Sequence, residues 1–292
     1  MSIDCLCISA GGAKGFAALG ALQCLQDQRV LDVSRVRHMS GTSVGALICF
    51  FLSIGYGPVE LMVELCRTNC MQSLTRRSWE DILHKESVYD TDDMLNKWEE
   101  LCFAKRPDLP TMKSHFESTG VDLIICTYNY TQRRIEYIRH DTHPEVPCLL
   151  ALKMSSSLPF LFAPTIYGDN EFVDGAFADP FPIEQVPFQS LSTLGIYLKD
   201  EEVVRTYHHR LFDWVQKVFE LVSIPVTELH ERRMQSVKTS PHVYLLHLSI
   251  TDVPVYQLEL RKGQQLDLFS AGFHQAKKAI EAGDFAFKAQ TA

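Results

Sequence analysis

An α/β fold of three layers, with helices on both faces of a mostly parallel central sheet, is the class this sequence predicts. Three observations carry it. Short apolar runs alternate with helical stretches along the chain. The first two strand-to-helix junctions fall on glycine-rich turns, at residues 10–15 and 41–45. With 292 residues, 46% of them hydrophobic and 22% charged, the chain can build one large core. A single domain over 1–292 is therefore expected, with a helical insert at about 70–115.

Taken in order, residues 3–9 form a short apolar strand, and 14–27 carry Phe16, Leu19, Leu22 and Leu25 at helical spacing. Residues 35–40 read as the second strand, and 43–54 as a buried helix stopped by Gly55. Another helix opens at Pro58. The insert carries Trp79, Trp98 and many charges, and fits a cap beside a site as well as a plain surface excursion. Within it, Thr91 ahead of Asp92 and Asp93, then Met94, Leu95, Trp98 and Leu101, marks a helix N-terminus. Residues 121–126 and Arg134–Ile138 read as a hairpin. Further strands are expected at 165–174, 192–198 and 243–250, with a closing helix near 264–282.

Gly41-Thr42-Ser43-Val44-Gly45 occupies the second junction, where a serine would be forced onto a tight turn between strand and helix. Glycine on both sides removes a Cβ where the two elements crowd. Ser43 can then hold a strained conformation with its Oγ at a helix start, where negative charge is favoured. By itself the pentapeptide is also an ordinary turn with a capping serine. At the first junction, Ala10-Gly11-Gly12-Ala13-Lys14-Gly15 would bring backbone N–H groups close to an anion, such as the oxygen of a tetrahedral intermediate. That run also approximates a dinucleotide fingerprint, but the second strand meets Ser43 without the acidic residue the fingerprint needs. Glu171-Phe172-Val173-Asp174-Gly175-Ala176 supplies a candidate base, an apolar strand ending on an aspartate at a turn. The long chain between Ser43 and Asp174 leaves room for crossovers that bring two parallel strand ends together. Alone, Asp-Gly is a common turn.

In the order glycine loop, Gly-x-Ser-x-Gly, Asp-Gly-Ala, the three clusters resemble the patatin-like phospholipase family, whose members use a Ser-Asp dyad on an α/β scaffold. The resemblance spans about residues 3–200, and residues 151–159 are similar to the family's small-residue and proline segment. It implies a patatin-like sandwich with Ser43 as nucleophile and Asp174 as base. It implies an oxyanion loop of Gly11, Gly12, Ala13, Lys14 and Gly15, an elbow flanked by Gly41 and Gly45, and Gly175 at the turn after the base. A phospholipid or other acyl-ester substrate, with no cofactor and no metal, follows from the same likeness. Ala10, Lys14 and Pro180 depart from the family pattern, standing where glycine, arginine and asparagine are common; Lys14 keeps the charge but not arginine's planar fork. Leu158, Phe160 and Phe162 are expected to line the acyl pocket, and the helical pattern around Leu211, Trp214, Val215, Val218, Leu221 and Val222 to pack in the core.

Six histidines follow Asp174. His208, His209, His230 and His274 fall in helical patterns, while His242 and His247 border and interrupt a strand, so a dyad is expected rather than a triad. Asp90, Asp92 and Asp93 lack the spacing, glycine and terminal glutamate of a calcium loop. Nine cysteines without a C-x-x-C pair suggest reduced thiols in an intracellular protein. The formal charge of −8 argues against general attraction to nucleic acid, although Arg232 and Arg233 form a local basic pair. The start of the chain does not read as a signal sequence, and the longest apolar run, around 44–52, is far short of the roughly 20 residues that span a bilayer. A cytoplasmic enzyme in peripheral contact with intracellular membranes is the expectation. The residues leave open a general carboxylesterase or thioesterase, and a non-catalytic protein that holds a nucleotide or another anion on the glycine loop.

Overall fold

The computed structural model describes residues 2–67, 87–89, 92–200, 234–235, 237–251, 253, 257 and 260–285. Trp79, the 211–222 pattern, His208, His209, His230, Arg232 and Arg233 lie outside them.

β1 (Cys5–Ile8) is buried along its whole length, and the alternation of side chains sends Leu6 and Ile8 into one core and Cys5 and Cys7 into two smaller clusters on the opposite face. Around it lie β2 (His38–Thr42), β3 (Asp122–Asn129), β4 (Arg134–Ile138), β5 (Thr165–Tyr167), β6 (Asn170–Asp174), β7 (Thr193–Asp200) and β8 (Val243–Ile250). They form one sheet in the order β5-β6-β3-β2-β1-β7-β8, with β4 also paired to β3. The pairs within β3-β2-β1-β7-β8 are parallel, whereas β4 and β6 run antiparallel to β3, and β5 antiparallel to β6. Helices flank this mixed sheet, giving the three-layer α/β/α arrangement.

The principal core is filled by α1 (Gly15–Asp27) and α2 (Val44–Ser53). Residues 45–52 of α2 are all buried, as befits a helix apolar on every side. α3 (Pro58–Arg67) follows it; α4 (Asp92–Lys105) and α5 (Met112–Thr119) are the described helices of the region read as an insert. α6 (Cys148–Ser155) packs against β3 and β6, and α7 (Lys262–Glu281) closes the core against α1. Among the described residues, no single helix is long and apolar enough to cross a membrane.

Two expectations need correction. The run 165–174 is not one strand but the β5–β6 hairpin, because Gly168 at φ 58° and Asp169 reverse the chain. Asp174 therefore ends an antiparallel strand, not a parallel one. The second strand also starts later than predicted: residues 33–35 wind into a 3₁₀ turn, with the Ser34 N–H donating to Asp32 Oδ1 at 3.1 Å.

Candidate active site

β2 ends at Thr42 and α2 starts at Val44, so Ser43 alone makes the turn between them. It does so at φ 54° and ψ −125°, a conformation that costs a residue with a side chain about 1–3 kcal/mol and persists only where its surroundings enforce it. Close packing enforces it here. A Cβ on Gly45 would overlap the Ile8 carbonyl oxygen, and one on Gly41 would come 2.5 Å from the Ala46 nitrogen. Polar contacts add to this. The Ser43 N–H donates to Ser155 Oγ at 2.9 Å, and the Ser155 hydroxyl donates to the Cys126 carbonyl at 2.6 Å.

Asp174 reaches the same point from the opposite direction. β4 occupies one edge of β3 over residues 125–129, leaving the other edge to be shared. β2 takes residues 122–126 of that edge and β6 takes 127–129, with Thr42 opposite Cys126 and Asp174 opposite Thr127. Because β2 and β6 run oppositely, their C-terminal ends meet head-on, one β3 residue apart. The Ser43 hydroxyl lies close enough to the Asp174 carboxylate to favour its charged form. The Asp174 N–H donates to Ser157 O at 3.0 Å, and the Ala176 N–H donates to Asp174 Oδ1 at 2.8 Å. With 2% of its surface exposed, the carboxyl is pushed by burial from 3.8 up to about 7, against the opposing pull of the Ala176 N–H and the Ser43 hydroxyl.

The glycine loop is a 3₁₀ turn, Gly12–Lys14, leading into α1. Several of its amides are committed. The Ala10 N–H donates to Pro180 O at 2.8 Å, the Lys14 N–H to Gly11 O at 3.0 Å, and the Gly15 N–H to the Ala13 and Gly12 carbonyls. Among the described residues, the N–H groups of Gly11, Gly12 and Ala13 meet no acceptor, and neither does that of Val44 in the first turn of α2. The predicted five-residue loop thus narrows to three amides, since Lys14 and Gly15 use theirs to close the turn. The Lys14 side chain is buried and stands off the cavity wall. Pro180 contributes a carbonyl, which a proline supplies as well as an asparagine.

Ser43, Asp174, Gly11, Gly12 and Ala13 line one cavity of about 940 Å³, its open mouth included. Its remaining wall is almost wholly apolar: Phe16 and Leu19 of α1, Leu47 and Ile48 of α2, Leu65 of α3, Met94 and Trp98 of α4, with Leu158 and Phe162. Phe160, expected beside those last two, is not on the wall. Its φ of 67° leaves it 48% exposed, while its carbonyl accepts the Val88 N–H at 2.9 Å. Met94 and Trp98 were legible as a helix face but not as cavity wall, and Ser155 was legible only as part of a small-residue run. Among the described residues, no histidine lines the cavity. His242 and His247 belong to the β8 side of the sheet, and His274 bonds to Ser270 O within α7.

Residues 6–187 match the sequence model of the patatin-like phospholipases. The chain belongs to this family. Over 182 residues it is 30% identical to "Probable lipid hydrolase 463L" of Invertebrate iridescent virus 6, a match covering 61% of each chain. It is 25% identical over 285 residues to "Uncharacterized protein YqhO" of Bacillus subtilis, covering 90% of this patatin-like chain and 93% of that one. Its matches to the viral relatives span less than two thirds of their length, 61% for 463L and 64% for R571 of Acanthamoeba polyphaga mimivirus. Among solved structures, VipD from Legionella pneumophila superposes with a TM-score of 0.56 at 16% identity, covering 96% of this chain and 67% of VipD. The type III effector protein ExoU does so with a TM-score of 0.50 at 14% identity, covering 97% and 53%. At those identities what is shared is the fold.

Proposed function

We propose that this patatin-like protein is a lipid acyl hydrolase of the phospholipase A type, cleaving fatty-acyl esters of phospholipids through a Ser43–Asp174 dyad. The observation that carries the reading is the pairing of a strained elbow serine with a buried carboxylate titrating near neutrality, at one end of an apolar cavity. An aspartate of ordinary pKa is a weak base at pH 7, and one held near 7 is well matched to the task. In its ionised form Asp174 takes the hydroxyl proton as Ser43 Oγ attacks the ester carbonyl. The N–H groups of Gly11, Gly12 and Ala13 receive the oxyanion. As the tetrahedral intermediate collapses, the alcohol leaves as lysolipid and carries off the proton from Asp174. Water then attacks the acyl-Ser43 ester, again giving its proton to Asp174, and the fatty acid departs while Ser43 recovers its hydrogen.

The cavity favours this over anion or nucleotide binding. Among the described residues, the only charged group on its wall is the carboxyl of Asp174, which would repel a phosphate, while the apolar lining matches an acyl chain. Substrate would reach the site from a membrane surface by peripheral contact. A fluorophosphonate probe tests the chemistry: it should label Ser43 in the wild type and nothing in Ser43→Ala. Asp174→Asn should slow labelling by about 10²-fold or more, the usual worth of a general base. An unlabelled wild type, or an Asp174→Asn variant labelled at the wild-type rate, would contradict the dyad.

A further inference from the structure

Ser155 is the last residue of α6 and is fully buried, yet its hydroxyl is spent on two peptides of neighbouring strands. Two parallel strands ordinarily close such a rung directly, N–H to C=O. Here β2 leaves β3 after Thr42 to form the elbow, and the Ser155 hydroxyl fills the gap. It accepts from the nucleophile's own N–H at 2.9 Å and donates to Cys126 O at 2.6 Å. The Cys126 carbonyl also packs closely against the chain just after Asp174: a Cβ on Gly175 would come 2.7 Å from that oxygen. Two residues beyond Ser155, the carbonyl of Ser157 accepts the Asp174 N–H at 3.0 Å. The end of α6 therefore grips the nucleophile's backbone on one side and the base's on the other.

We propose that Ser155 is a positioning residue of the hydrolytic site, its hydroxyl holding the Ser43 backbone so that Oγ points at the Asp174 carboxylate. The proposal rests on the dyad reading given above. Removing the hydroxyl leaves the Ser43 N–H and Cys126 C=O without their shared partner and frees the strained turn to relax. A shift of about 1 Å in a reacting group can cost about 10²-fold in rate. Ser155 is not on the cavity wall, so substrate binding is untouched and the loss falls on kcat. It also reaches Asp174: the Ser43 hydroxyl opposes the upward pull of burial, so loosening it moves the carboxyl's titration to higher pH.

The test compares wild type, Ser155→Ala and Ser53→Ala on a soluble fatty-acyl ester, with active sites counted by fluorophosphonate titration so that misfolded protein drops out of the rate. Ser53 is a control on α2; its hydroxyl donates to Phe50 O at 2.6 Å and meets His115, away from the cavity. Ser155→Ala should lose about 10²-fold in kcat per titrated serine, with KM within about twofold and the acid limb displaced upward. Ser53→Ala should keep its kcat per titrated serine. A Ser155→Ala variant with normal kcat per titrated serine and an unmoved acid limb would overturn the positioning role. A wild type that neither turns over nor takes the probe would overturn the dyad reading and this inference with it.

Discussion

Ser43 and Asp174 are each held in a state that folding alone would avoid, one by a left-handed φ of 54° and the other by burial of a carboxyl group. For Asp174 the consequence is a pH dependence of opposite sign in activity and stability. The proposed mechanism needs the ionised carboxylate, so kcat/KM should fall below about pH 7, the value to which burial pushes this group. Stability runs the other way. Below the unfolded pKa of 3.8 both states hold the proton; above it the unfolded chain gives the proton up while the folded one keeps it, until pH passes about 7. Across that window the wild type loses about 4 kcal/mol, at 1.36 kcal/mol per pKa unit. Asp174→Asn has no charge to bury. It should therefore melt well above wild type at pH 8 and alongside it near pH 4, which thermal denaturation at the two pH values checks; equal melting at pH 8 would refute the buried-carboxyl account. That both residues stand at strand ends on glycine-containing turns, Ser43 between Gly41 and Gly45 and Asp174 before Gly175, was legible in the sequence. Phe160 was not, since its direction depends on backbone pairing between 87–89 and 160–161. Nor was the engagement of Lys14 and Gly15, whose amides are consumed by a turn that only the folded loop reveals.

Among the elements, those with a strong period were read correctly in kind: β1, α1, α2, the β3–β4 hairpin, β7, β8 and α7 lie where alternation and helical spacing put them. The 165–174 run misled because Ile166 and Tyr167 are apolar yet exposed, so composition mimicked a continuous buried strand. α6 had no prediction at all; at eight residues, grading into a serine run and Pro159, it offers little helical period. Helix packing gives this scale its own prediction. α1 and α7 approach so closely that a Cβ on Gly20 would overlap Phe269 O and one on Gly272 would overlap Ala17 O. Both obstacles are backbone, which cannot rotate away. Gly272→Ala should cost at least about 2 kcal/mol despite alanine's better helix propensity, as overpacking in a filled core does. Urea denaturation measures it, and a neutral or stabilising result would show that the two helices can part.

For the whole molecule, β3 acts as the ruler on which the site is set out. One edge carries β2 up to Cys126 and β6 back down to Thr127, so two segments far apart in sequence deliver Ser43 and Asp174 to one point. The class of sheet was legible from alternation, but this head-on meeting was not, because it depends on the reversal at Gly168 and on which edge β4 leaves open. The cavity was equally hidden: its wall is gathered from α1, α2, α3, α4 and the 158–162 segment, a convergence that no local pattern encodes. The chemistry proposed for this patatin-like scaffold is metal-independent cleavage of lipid acyl esters by Ser43 and Asp174. The measurement that meets this claim most directly is fatty acid and lysolipid release from mixed phospholipid vesicles in excess chelator, by wild type, Ser43→Ala and Asp174→Asn. Release by wild type, lost in both variants, is the predicted result; release that survives in Ser43→Ala, or vesicles left intact by a wild type whose Ser43 takes the phosphonate, would contradict it.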